Sequence, residues 1–162
     1  MPGIDLVPAW RRDDPKVIAD AIALWRRLGA LPDGVDVDAR ARELCAAAYA
    51  GDELAGIATA AIGPLPALPG CRFAFFRCLT APAYRRLGIA RSLAVFSRDE
   101  LERWSAADPQ ERLHGMAAVV EGRNLAELGR LPVWQHSGLT LIGHTRDGRQ
   151  IRLCWFRHAR LD

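Results

Sequence analysis

The 162-residue chain is 50% hydrophobic and 25% charged, which is enough apolar material for one sizeable core and, by length, for a single domain spanning 1–162. Its formal net charge is +3, with 22 basic residues interleaved among 19 acidic ones, so the field is too weak and too mixed to imply a nucleic-acid or membrane partner. The 4 cysteines, Cys45, Cys71, Cys78 and Cys154, form no CxxC pair and lie in or beside apolar segments; this pattern predicts buried thiols in a reducing compartment and no metal site. The start, MPGIDLVPAWRRDD, has no basic segment followed by an apolar core, and no run of about 18 apolar residues occurs anywhere. A soluble, cytoplasmic protein is expected. Lys16 is the sole lysine, a compositional bias that makes the placement of an arginine, and not its presence, the informative signal.

In chain order, Ile4 to Trp10 reads as a first strand. Asp14-Pro15 then supplies an N-cap with proline at the first helical position, and Val17, Ile18, Ala21, Ile22, Leu24, Trp25 and Leu28 form a helical stripe ending at Gly29. A weaker helical turn is predicted over Val37 to Arg42. The segment ELCAAAYAGDELAGIATAAIG favours helix by its alanines, but Gly51-Asp52 between two apolar runs favours a hairpin, Leu44 to Tyr49 with Glu53 to Ile62. GPLPALPG is expected to be a connecting loop, because its prolines suit neither a helix interior nor a central strand. Arg72 to Thr80 is a buried aromatic strand. A helix from Ile89 ends before Asp108-Pro109, Leu113 to Val120 is another strand, and EGRNLAELGRL continues as a loop and a short helix. Leu139 to Thr145 and Gln150 to Arg157 close the chain as a hairpin with Asp147-Gly148 in its turn. A strand, helix and strand across Arg72 to Val120 imply one parallel pair in a mostly antiparallel sheet.

Between the fourth strand and the long helix lies TAPAYRRLGIARSL. A tight turn entering a helix points several unpaired N–H groups at one place, with the positive end of the helix dipole behind them. Gly88 lets an anion approach the backbone, and Arg85 and Arg86 add charge-assisted hydrogen bonds, so phosphate or pyrophosphate is the expected guest. No Gly-Lys-Ser/Thr ending and no second or third glycine is present, which excludes the common nucleotide loops. Arg85-Arg86-Leu87-Gly88-Ile89-Ala90 resembles the acetyl-coenzyme A signature of the GNAT superfamily of N-acetyltransferases, Arg/Gln-x-x-Gly-x-Gly/Ala. Pro82 and Tyr84 stand upstream as in that family, and the element order is similar from end to end.

The resemblance implies an α/β (α+β) fold with a mixed, mostly antiparallel central sheet of about seven strands, a splayed parallel pair, and helices on both faces. It implies acetyl-CoA as cosubstrate, with its pantetheine arm against the backbone of Cys78, Leu79 and Thr80 and its diphosphate on the amides of Leu87, Gly88, Ile89 and Ala90. Arg85 and Arg86 flank that diphosphate, and Asn124 bonds the arm. The acceptor would be a small-molecule or peptide amine attacking directly, and the protein a monomer or homodimer.

The sequence departs from the family where a tyrosine proton donor is usual: Trp134 holds that place, and its indole is no useful acid. Proton donation then falls to His136 or Ser137, to water, or to no group. No carboxylate lies on Arg72 to Thr80, which leaves Glu121, His114 and, more remotely, Tyr49 as bases, each with a competing structural reading as a cap or a satisfied side chain. Trp10, Trp25, Trp104, Trp134 and Trp155 read as packing. Arg146, Arg149, Arg152, Arg157 and Arg160 read as a solvated face of the last hairpin. A non-catalytic acetyl-CoA-binding sensor or interaction module of the same fold is the alternative function.

Overall fold

The computed structural model describes residues 3–121 and 127–161. Eight strands and three α-helices follow in the order β1 (Ile4–Pro8), α1 (Pro15–Leu28), α2 (Val37–Ala41), β2 (Leu44–Ala50), β3 (Glu53–Leu65), β4 (Leu68–Thr80), α3 (Ile89–Ala107), β5 (Gly115–Val120), β6 (Val133–Trp134), β7 (Leu139–His144) and β8 (Gln150–Trp155). The sheet order is β1-β2-β3-β4-β5-β8-β7-β6, and β4–β5 is the parallel pair. Two compact units make up the chain: one of residues 1–60 with 78–100, the other of residues 61–77 with 101–162.

In the first unit the local signals act as the sequence predicts. The Asp14 carboxylate accepts from the N–H groups of Lys16 and Val17, Pro15 opens α1, and Gly29 closes it in the left-handed conformation at φ 56°. Every residue of β2, LCAAAYA, is buried. Alanine favours helix, yet small Cβ atoms on both faces of a central strand let helices approach from either side. Tertiary packing thus overrides propensity. On one face Val17, Leu24 and Trp25 of α1 pack with Ala47, Tyr49 and Ile57. Residue 56 precedes Ile57 and points the other way. A Cβ built on Gly56 would lie 2.9 Å from Ile89 Cγ2 and 3.2 Å from Leu93 Cδ1, so α3 flanks the opposite face. On that face Cys45 Sγ donates to Ser97 Oγ at 3.3 Å, and burial pushes the Cys45 thiol up to about 12. All four cysteines are free thiols, but Cys78 is exposed and not buried as expected. The Tyr49 hydroxyl donates to Asp20 Oδ2 at 2.7 Å and so ties β2 to α1.

The second unit corrects one expectation about its elements. GPLPALPG is not a loop: β3 continues to Leu65 and β4 begins at Leu68, with a turn only at Pro66 and Ala67. Leu65 and Leu68 pack onto Phe73 and Leu153, and Gly70 takes the left-handed conformation at φ 83°. Apolar burial at the tip thus outweighs the donors missing at Pro64 and Pro69. The mixed sheet of about seven strands is present with eight, the last formed by the two-residue β6, which pairs with β7 through Val133↔Thr140 and Trp134↔Leu139. Where a short helix was expected, the described residues hold a single 3-10 turn, Leu128–Arg130. Gly115 allows β5 and β8 to approach: a Cβ there would meet the Cys154 carbonyl oxygen at 2.0 Å.

Arg152 also departs from expectation. It has no exposed surface at all, whereas alternation along β8 predicts a solvated side chain. Its guanidinium donates to the carbonyls of Leu131 at 2.8 Å, Gly129 at 3.3 Å and Leu139 at 3.4 Å, and to Gln150 Oε1 at 2.9 Å. The face of Trp134 lies 4.3 Å from its Cζ. Backbone oxygens and a π face together replace the water and the carboxylate that such a cation otherwise needs. Among the described residues, no helix is long and apolar enough to cross a membrane, and no group of His, Cys, Asp and Glu is placed to hold a metal ion.

Truncating Arg152→Ala removes the guanidinium's hydrogen bonds to the carbonyls of Gly129, Leu131 and Leu139 and the packing on Trp134. A loss of about 3 kcal/mol in denaturant unfolding is expected. The Asp20 carboxyl is held below its ordinary value, first by the hydrogen bond from Lys16 and then by that from Tyr49, against the opposing effect of burial. A lowered folded value means stability present above the unfolded value of 3.8 and lost as pH falls through the folded one. Thermal melts from pH 5 to pH 2 are expected to show a shallower acid loss for Asp20→Asn than for the unaltered chain.

Candidate functional site

The residues singled out around Gly88 form one continuous path in the first unit. β4 ends at Thr80, and the buried Ala81 donates its N–H to the Ala55 carbonyl at 2.9 Å, which anchors the strand end to β3. Pro82–Tyr84 is one 3-10 turn, closed by Tyr84 N–H to the Ala81 carbonyl and Arg85 N–H to the Pro82 carbonyl. Arg85 is extended, Arg86 is left-handed at φ 70°, and Gly88 is left-handed at φ 75°. Ser92 N–H then bonds to the Gly88 carbonyl at 3.0 Å, which makes Gly88 the N-cap of α3.

This cap has no side chain, so it returns nothing to the amides of the first turn. Among the described residues, no backbone carbonyl outside α3 accepts from the N–H groups of Leu87, Gly88, Ile89 or Ala90. Left-handed residues alternating with others curl successive N–H groups toward one side, the concave arrangement that binds anions. Arg86 holds such a conformation without being glycine, a strain of about 1 kcal/mol that surrounding structure must sustain. The approach is open: a Cβ on Gly88 would meet only Arg91 Nη2, at 3.8 Å. Arg85, Arg86 and Leu87 are exposed around it.

Two braces hold this turn, and both join it to β3. The Tyr84 hydroxyl donates to Glu53 Oε2 at 2.7 Å, a bond to a carboxylate that raises the phenol. Ile89, 2% exposed, sits where residue 56 has no Cβ. Alternation with its core neighbour Ile57 sets Gly56 on the opposite face; nothing in the sequence pairs Tyr84 with Glu53.

Of the remaining candidates, Cys78 is exposed and Leu79 and Thr80 are half-buried at the end of β4, in the same unit as the loop. Asn124 lies outside the described residues. Glu121, His114 and His136 belong to the second unit. Glu121 pairs with Arg149 Nη1 at 2.9 Å. His114 Nδ1 accepts the Arg72 N–H at 3.0 Å, so the ring bridges β4 to the start of β5. His136 is exposed in the turn between β6 and β7, where Ser137 is buried and its hydroxyl accepts from the Leu139 N–H. The Trp134 indole donates to the Leu128 carbonyl at 2.7 Å, and the Tyr49 phenol, raised by burial and then by its bond to Asp20, is committed to that carboxylate.

No protein-family model matches the chain, and no curated protein matches its sequence. Its backbone, by contrast, superposes on many solved structures. The structure of yncA from Salmonella typhimurium with its cofactor acetyl-CoA matches with a TM-score of 0.66 at 18% identity, over 99% of this chain and 98% of that one. The ribosomal-protein-S18-alanine N-acetyltransferase of Escherichia coli matches with a TM-score of 0.61 at 16% identity, over 98% and 97%. A GNAT-family acetyltransferase of Streptococcus pneumoniae matches with a TM-score of 0.59 at 14% identity, over 95% and 99%. Such coverage of whole chains, together with the eight-stranded mixed sheet and its single parallel pair, shows that this protein has the fold of the GNAT-family acetyltransferases.

Proposed function

We propose that the chain is one acyl-CoA-dependent N-acyltransferase domain that moves an acetyl group from acetyl-CoA to an amine. The observation that carries this reading is the open, side-chain-free cap of α3, with amides at Leu87, Gly88, Ile89 and Ala90 and guanidinium groups at Arg85 and Arg86. That donor set fits a diphosphate: backbone N–H groups and a helix dipole take the central charge, and the arginines take the outer oxygens. The solved neighbour from Salmonella typhimurium, which carries acetyl-CoA, supports the choice of cofactor.

When bound, acetyl-CoA supplies an acyl thioester whose carbonyl carbon an amine attacks while the thiol leaves. The chain's own contribution is to bind and orient. The backbone at Cys78, Leu79 and Thr80 offers pairing to an amide-bearing arm without demanding particular side chains, with Asn124 as a further partner. An N–H of Leu79 or Thr80 polarises the carbonyl. An alkylammonium with a pKa of about 10.4 must lose a proton before it attacks; Glu121 and His114 are the side chains proposed to take it, and His136 is proposed to return a proton to the departing thiolate.

A second reading, a non-catalytic acetyl-CoA-binding module, draws on one observation: the Tyr49 phenol, the His114 Nδ1, the Glu121 carboxylate and the Trp134 indole are each engaged within the fold. Free-thiol release in the presence of acetyl-CoA and a panel of amines separates the two. The enzyme gives amine-dependent thiol, and the module gives saturable binding with none. Arg86→Glu combined with Gly88→Trp is expected to abolish acetyl-CoA binding in calorimetry while the circular dichroism spectrum is retained; undiminished affinity would remove the loop from the site. Gly56→Ala forces Ile89 and Leu93 outward, and should cost 1–3 kcal/mol of stability by the usual penalty for overpacking. It should also weaken acetyl-CoA binding, since the cap moves with the helix.

A further inference from the structure

Lys16, the one lysine of the chain, rests in a place already furnished for an ammonium group. Its Nζ is 2.7 Å from Asp20 Oδ2 and 4.4 Å from the centroid of the Tyr49 ring. The Tyr49 hydroxyl donates to the same carboxylate oxygen at 2.7 Å. An ordinary i,i+4 pair on a helix surface needs neither the ring nor the phenol. Here a carboxylate and an aromatic face converge on one cation, the combination that recognises ammonium ligands.

The parts differ in how firmly they are held. Tyr49 is 7% exposed and belongs to the packed cluster of α1 and β2, and Asp20 is fixed from below by the phenol. Lys16 has 62% of its side chain exposed, so its charge is held by a surface pair of the weak kind. Asp14, the α1 cap, adds a further negative charge acting on Tyr49. The ring and the carboxylate are therefore the permanent site, and Lys16 is its replaceable occupant. The same cluster contains Ala81, and Leu79 and Tyr84 pack against it, so it shares its packing with the β4 end that leads into the Arg85 to Ala90 turn.

We infer that Asp20 and Tyr49 form the subsite that receives the primary ammonium group of the acceptor, and that Lys16 is an internal competitor which an incoming alkylamine displaces; this rests on the acyltransferase reading above. The ligand class is a primary alkylammonium, held by charge and ring face before it is deprotonated.

The probe is n-butylamine, titrated into the full chain without acetyl-CoA and followed by NMR at the ring protons of Tyr49, which shares its residue type only with Tyr84 among the 2 tyrosines. Lys16→Gln, a surface exchange, empties the site, and butylamine affinity is expected to rise about fivefold, the worth of the displaced pair and ring contact. Adding Asp20→Asn to Lys16→Gln should remove that gain. With acetyl-CoA present, Lys16→Gln should lower KM for butylamine by a similar factor and leave kcat unchanged. Equal affinity in the Lys16→Gln and unaltered chains overturns the subsite. Tighter binding at Tyr49 with an unmoved KM overturns its assignment to the acceptor. Calorimetry with acetyl-CoA runs in parallel: a chain that binds no acetyl-CoA refutes the acyltransferase reading, while the butylamine titration still judges the ammonium site by itself.

Discussion

The first turn of α3 rests against β3 at a point where β3 has no side chain. A single methyl on Gly56 would crowd Ile89, Leu93 and the Leu79 carbonyl together, at 2.9, 3.2 and 3.1 Å. That contact sets how far the helix start stands from the sheet and, through Gly88, where its unpaired amides point. The other features of the site are arranged around it: Ala81 anchored to Ala55, one 3-10 turn, and Tyr84 fastened to Glu53. A left-handed Arg86 persists because both ends of its short segment are held in this way.

Anion recognition and proton transfer have separate origins in this chain. Recognition draws on backbone groups, which every sequence possesses and which only a particular turn can gather. Proton transfer needs a side chain with a spare lone pair or proton, and the residues best suited by type are spent on the fold: His114 on the Arg72 amide, Tyr49 on Asp20, Trp134 on the Leu128 carbonyl. Direct attack by an amine makes modest demands on such groups, because a preorganised donor at the carbonyl and close positioning supply much of the barrier reduction.

Polar side chains do structural work in the second unit as well. Arg152 takes the carbonyls of the segment before β6 and of the strand after it, and it stacks on the one tryptophan between them. A segment with a three-residue 3-10 turn and a two-residue strand has little backbone pairing of its own. One buried cation therefore stands in for a regular element.

The sequence by itself determined what depends on near neighbours along the chain. The cap and stop of α1, the Asp-Gly hairpin of β7 and β8, and the Arg85 to Ala90 turn with its helix start are all set by residues within a few positions of one another, so they are legible as patterns. Tertiary structure decided whatever depends on the opposite face or on distant partners. Alanines of β2 became a strand because two helices needed close approach, and the proline-rich tip was drawn into β3 and β4 by the burial of Leu65 and Leu68. Arg152 lost its solvent to carbonyls more than ten positions away. Lys16, Asp20 and Tyr49 meet only because α1 lies across β2, a juxtaposition of residues up to 33 apart in the chain that no local spacing encodes.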